Sequence, residues 1–200
     1  KFSDLWLNPK QGTDAALAMA MGHVVLREFH LDRQTGYFED YCRRYTDMPM
    51  LVRLVKQDGH YLPERLVRAS EFADGLGQEN NPDWKTIAID RRSGEVVVPK
   101  GSVGFRWGES GKWNLESKDA GGRDVELELS LIMDGSHDDV VEVAFPYFGN
   151  RKHEHFASTE HASVLPRRVP VKSVQLADGE ALVATVFDLF AANYGLDRGL

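Results

Sequence analysis

Seven consecutive non-polar residues, Ala15, Ala16, Leu17, Ala18, Met19, Ala20 and Met21, open the strongest helical stretch of the chain. No polar stripe interrupts them. The pattern therefore predicts a helix over residues 15–29 whose first two turns are buried on every side. Ahead of it, Asn8-Pro9-Lys10-Gln11-Gly12 reads as a loop, because Pro and Gly interrupt regular structure. Thr13 then stands at the N-cap position and Asp14 in the first turn. Leu5-Trp6-Leu7 reads as the end of a buried strand. Residues 35–45 read as a second helix carrying Tyr37, Phe38, Tyr41 and Tyr45, residues 48–55 as a strand, and residues 71–76 as a short helix ending at Gly75 or Gly77. From Trp84 onward the period shortens. Thr86-Ile87-Ala88-Ile89, Glu95-Val96-Val97-Val98 and residues 140–145 are rich in β-formers. Residues 125–131 alternate apolar and polar, which predicts a strand with one wet face. Asp90-Arg91-Arg92-Ser93-Gly94 and Asp119-Ala120-Gly121-Gly122 are turn sequences. Residues 171–186 read as a hairpin turning at Asp178-Gly179, and residues 187–194 as a helix.

The predicted organisation is α/β with a β-rich insertion. Residues 1–83 form an α/β segment with the loop and the buried helix, residues 84–165 the insertion, and residues 166–200 a hairpin and helix returning to the α/β core. The 200 residues are 42% hydrophobic and 28% charged, enough apolar matter for a core. Cys42 is the one cysteine, which excludes a disulfide framework and a cysteine-ligated iron–sulfur cluster held by this chain alone. The longest apolar run, residues 15–26, is 12 residues and contains Gly22 and His23, too short to span a bilayer. A net charge of −7 argues against nucleic-acid binding. That charge is concentrated: residues 109–142 hold 10 acidic and 3 basic side chains. The stretch reads as a solvated surface or as a docking face for a basic partner. The chain opens at Lys1 and closes on Asp197-Arg198-Gly199-Leu200 directly after a helix, so its ends read as the interior of a larger protein.

The best candidate site is Pro9-Lys10-Gln11-Gly12-Thr13-Asp14, a glycine-containing loop that opens a helix. Orphan N–H groups and the helix dipole favour an anion there, by about 0.3–1 kcal/mol for the dipole. Gly12 permits close backbone approach, and Lys10 adds a positive charge. Asp14 opposes a phosphate at its own position, but its carboxylate suits the paired N–H donors of a guanine edge. The plainer reading is that Thr13 and Asp14 only cap the helix. Familiar phosphate motifs fail. Gly111-Lys112 lacks the P-loop's earlier glycine, where Arg106 stands, and Trp113 replaces its Ser or Thr. Gly75-Leu76-Gly77 has Asn80 in place of the third glycine of the dinucleotide fingerprint. His153, His155 and His161, with Glu154 and Glu160, resemble a zinc set, although the polar surroundings favour a solvated loop. His23 and His30, seven apart, read as core or interface histidines. Arg43 and Arg44 beside Cys42 would lower its pKa, but a thiol on a helix face is usually inert. Arg106-Trp107 and Lys112-Trp113 offer stacking surfaces that more often simply pack.

Trp6-Leu7-Asn8-Pro9-Lys10-Gln11-Gly12-Thr13-Asp14-Ala15-Ala16-Leu17-Ala18-Met19-Ala20-Met21-Gly22-His23 closely resembles the catalytic alpha subunit of membrane-bound respiratory nitrate reductases. These belong to the molybdopterin-guanine-dinucleotide oxidoreductases. The resemblance continues through Leu26-Arg27-Glu28-Phe29-His30-Leu31-Asp32, Arg43-Arg44-Tyr45-Thr46-Asp47-Met48-Pro49-Met50-Leu51-Val52, Gly104-Phe105-Arg106-Trp107-Gly108, Phe145-Pro146-Tyr147-Phe148-Gly149 and Ala192-Asn193-Tyr194-Gly195-Leu196. It implies an internal fragment of a multidomain subunit. It also implies that Lys10, Gln11, Gly12, Thr13 and Asp14 hold the guanosine end of a molybdenum bis(molybdopterin guanine dinucleotide). The complete subunit would reduce nitrate to nitrite. Electrons would arrive through [4Fe-4S] clusters, an iron–sulfur beta subunit and a haem-bearing membrane subunit, at the cytoplasmic face of the membrane. The family's cluster ligands and its aspartate molybdenum ligand lie upstream of the matched stretch. The resemblance therefore implies cofactor contacts here, no catalytic residue, and no activity for the fragment alone. The alternative is a non-catalytic nucleotide-binding or structural α/β module.

Overall fold

The computed structural model describes residues 5–78, 81–100, 118–133, 135–146 and 164–200. Three helices and seven strands organise them. Helix α1 (Asp14–Leu26) runs on into a π-helical turn (Arg27–Asp32), and α2 (Gly36–Tyr45) follows. Strands β1 (Leu51–Gln57), β2 (His60–Leu66), β5 (Asp139–Pro146), β6 (Val164–Leu176) and β7 (Gly179–Thr185) close into a barrel in that order. Strands β3 (Ala88–Ile89) and β4 (Val96–Val97) form a separate short pair, and α3 (Val186–Asn193) follows β7 without a loop. All barrel pairings are antiparallel except β2 with β5, which meet in parallel at Tyr61 and Val143. The barrel draws its strands from residues 51–66, 139–146 and 164–185, with the helices and the β3–β4 pair outside it.

Alternation explains the core. Val52 and Leu54 of β1, Val143 and Phe145 of β5, Val169 and Val171 of β6 and Ala184 of β7 pack in one cluster, with Leu189 and Ala192 of α3 against it. Side chains that meet from four strands of a closed barrel fill its interior. The opposite faces supply Leu51, Val174, Leu176, Ala181 and Val183, which pack on Val67, Ala69, Ile87, Ile89, Val98 and Leu131. The hairpin between β6 and β7 and the helix after it match the sequence pattern. The two turn sequences also form: Gly94 N–H reaches Asp90 C=O at 2.7 Å, and Gly122 N–H reaches Asp119 C=O at 2.9 Å.

Several expectations are corrected. Leu5, Trp6 and Leu7 form no strand and are exposed. The helix expected to be buried on every side is not covered by this chain. Leu26 is the one buried residue of α1, while Met19, Met21, Val24 and Val25 are exposed. Its last turns also widen from α to π geometry, which the pattern did not show. Residues 71–76 form two short 3-10 turns, Ala69–Glu71 and Gly75–Gly77. Residues 125–131 form no strand: Leu127 makes an isolated bridge to Asp90, and on the polar face Glu126 is partly exposed whereas Glu128 and Ser130 are as buried as Val125 and Leu129. The reason is cover on both sides. Glu128 N–H donates to Ile89 C=O, while Ser130 Oγ and Leu131 N–H donate to Asp188 of α3.

Candidate functional site

The loop before α1 is shaped by its own backbone. Gly12 takes a φ of +78°, which L side chains rarely adopt. Thr13 N–H donates to Lys10 C=O at 3.1 Å, and Thr13 Oγ1 donates to the same carbonyl at 2.6 Å. Thr13 thus stands at the N-cap, but its hydroxyl is turned back into the loop and caps nothing. The capping reading of Thr13 therefore fails in its side chain. The first N–H groups of α1 have no side-chain acceptor from it, and they start a helix whose dipole favours an electron-rich partner. Lys10, Gln11, Gly12, Thr13 and Asp14 are all exposed. The donor set is an ammonium, a carboxamide, a hydroxyl, free backbone N–H groups and one carboxylate. Such a set can meet a phosphate or ribose with the first four and a guanine N–H edge with Asp14.

Helix α1 joins the rest of the molecule through its C-terminal half. Gly22 lies against the Tyr194 ring so closely that a Cβ would overlap Cε1 and come within 2.9 Å of Cδ1. His23 Nδ1–H donates to Tyr194 C=O at 2.8 Å. Leu26 packs with Phe187, Ala191 and Leu196.

His30 and Cys42 are structural, as their surroundings show. His30 is buried, stands edge-on to Phe187 at 4.6 Å between ring centroids, and has no hydrogen-bond partner at Nδ1. Burial, followed by the Arg198 charge, lowers its pKa to about 4. Burial raises the Cys42 thiol to about 11 and overrides the lowering by Arg43, so the thiol is protonated and inert at neutral pH. Among the described residues no group of three His, Cys, Asp or Glu is placed to hold a metal. His153, His155 and His161 lie outside the described residues, as do Arg106, Trp107, Gly111, Lys112 and Trp113. A cleft of about 640 Å³ between Leu76, Gln78, Lys85, Val98, Lys100 and Asp119 receives none of the residues singled out from the sequence as ligand contacts.

One polar centre escaped the sequence reading. Asp188 is fully buried, accepts from Ser130 Oγ at 2.6 Å, Leu131 N–H at 2.9 Å and Thr185 Oγ1 at 2.9 Å, and pairs with the buried Arg198. Its own N–H donates to Thr185 Oγ1 at 3.0 Å, a helix cap. The spacing Thr185-x-x-Asp188 carries a capping signal that the sequence offered. The recruitment of Arg198, Ser130 and Leu131 has no local signature.

The chain resembles nitrate reductase subunits along its whole length. The respiratory nitrate reductase 1 alpha chain of Escherichia coli (strain K12) is 61% identical over 202 residues, covering 100% of this chain. The respiratory nitrate reductase alpha chain of a Bradyrhizobium species is 44% identical over 201 residues, and the nitrate reductase alpha chain of Bacillus subtilis (strain 168) is 40% identical over 202 residues, each again covering 100% of this chain. The chain spans only 16%, 18% and 15% of the length of these three relatives. No protein-family model matches it.

Proposed function

We propose that this chain, which belongs to the family of respiratory nitrate reductase alpha chains, is the part of a molybdenum oxidoreductase subunit that holds the guanosine end of its dinucleotide cofactor. The observation that supports this reading is the open loop ahead of α1, with Thr13 turned away from the helix start and Asp14 exposed beside free N–H groups. Asp14 accepts from the guanine N–H edge. Lys10, Gln11 and Thr13 meet the sugar–phosphate portion, and Gly12 keeps a side chain out of the way. These are binding roles, and no proton or electron moves through them. When bound, that cofactor would supply the two-electron oxygen-atom-transfer chemistry that separates nitrate from nitrite.

In this reading the complete subunit works with an iron–sulfur beta subunit and a haem-bearing membrane subunit that deliver electrons, and with [4Fe-4S] ligands outside this chain. The assembly is membrane-associated through its partners at the cytoplasmic face. Among the described residues no helix is long and apolar enough to cross a membrane.

The test is the metal and nucleotide content of the native polypeptide that carries this segment. About one molybdenum per chain, with guanine nucleotide released on denaturation and nitrate reduction, is expected. Asp14→Ala should then release its nucleotide several-fold faster without loss of the fold, as for one charge-assisted contact. A polypeptide that binds guanine nucleotide without molybdenum would be the non-catalytic module instead.

A further inference from the structure

We infer that Gly22, His23 and Tyr194 form a latch that positions the loop 10–14 against its ligand. The inference rests on that loop being the guanosine contact. The loop opens α1, so its place follows from where α1 is held, and the contacts of α1 with the rest of the described residues lie in its C-terminal half. Gly22 is eight residues beyond Asp14, about 12 Å along a helix axis. A rigid lever of that length turns a small rotation at the latch into a displacement of the loop.

Three features fix the lever at one spot on the end of α3. The Tyr194 ring occupies the space a side chain on Gly22 would need, so helix and ring approach closely. The His23 ring donates Nδ1–H to the Tyr194 carbonyl, which sets the rotation of α1 about its axis. Tyr194 is itself held, its ring 4.3 Å from that of Phe190 and its N–H donating to Phe190 C=O at 3.0 Å. A carbonyl at the last turn of one helix, read by a histidine of another, gives direction as well as contact. Gly22, His23 and Tyr194 lie outside the loop itself, so each is a positioning residue.

The test follows loss of the intact guanine dinucleotide cofactor from the purified complete subunit, read as molybdenum and guanine remaining on the protein, alongside its thermal unfolding. His23→Leu removes the donor and should release the cofactor roughly fivefold faster, the effect of one partly buried hydrogen bond. His23→Asn keeps a donor at similar reach and should stay near the wild-type rate. Gly22→Ala, which pushes α1 off Tyr194, should behave like His23→Leu. Asp14→Ala serves as the loop control. Rapid release from Asp14→Ala together with wild-type release from His23→Leu would overturn the latch and leave the loop reading standing. Wild-type release from Asp14→Ala would remove the loop reading and the latch with it. Equal release from His23→Asn and His23→Leu, or release that merely follows a lowered unfolding temperature, would also overturn the latch.

Discussion

Asp188 shows how much one buried charge can organise. It has no exposed surface, and four groups from three separate stretches of chain converge on its carboxylate. Asp188→Ala would leave Arg198, almost as deeply buried, without its counter-charge. Removal of one partner of a buried pair costs about 3–5 kcal/mol, so the expected outcome is a loss of that order in urea unfolding. His30 gives the second prediction at this scale. Its pKa falls from the ordinary 6.5 to about 4. Between those values the unfolded chain takes up a proton that the folded chain refuses. Stability is therefore full above pH 6.5 and declines as pH falls towards 4, by about 3 kcal/mol for a shift of this size. His30→Phe should flatten that part of the stability–pH profile, and an unchanged slope would show that other groups set it.

At the scale of elements, local signals differ in how plainly they announce a fold. The hairpin of β1 and β2 lies outside the sequence expectations, although Asp58-Gly59 is its signature. Both residues have positive φ, 50° and 85°, as a tight primed turn requires. Pro63 within β2 obscured the strand, and the register shift between Arg53 and Leu54 shows how the sheet accommodates it. Gly59→Ala should destabilise by about 1 kcal/mol, because it forces a Cβ into that backbone region. Gly36→Ala, in the first turn of α2 with open space around it and no positive φ, should instead stabilise by about 0.5 kcal/mol. Paired denaturant melts of the two variants read both signs. The alternation over residues 125–131 gives no strand, and a polar residue on its second face does not always mean water: Glu126 is partly exposed, Glu128 and Ser130 are buried. The Glu128 carboxylate accepts from Ser136 Oγ at 3.4 Å and Ser130 Oγ donates to Asp188 at 2.6 Å, while the Glu128 backbone N–H donates to Ile89 C=O. Those partners are distant in sequence, so alternation alone could not tell a wet face from a satisfied one.

Across the whole molecule, the surface carries more apolar area in one region than a self-contained domain usually shows. Leu5, Trp6, Leu7, Met19, Met21, Val24, Val25 and Phe29 are exposed along the amino-terminal arm and α1. Tyr37, Tyr41 and Tyr45 make an exposed aromatic row on α2. The 200-residue chain produced alone should bind a hydrophobic dye strongly and self-associate as its concentration rises, so the variant melts above are read in dilute solution. A chain that stays monomeric and dye-free at high concentration would show that the barrel and its helices suffice. The sequence by itself determined what is local: the helix after Thr13, the hairpin at Asp178-Gly179, the turns at Asp90 and Asp119, and the string of residues from Trp6 to His23 that identifies the family. Propensity, turn chemistry and motif identity are written in neighbouring residues. Only the tertiary structure decided that five strands close into a barrel, that Asp188 finds Arg198 and Ser130, and that Gly22 and His23 meet Tyr194. Those arrangements depend on partners up to 171 residues away. No single-chain pattern records such a pairing, because each half is unremarkable until packing brings the two together.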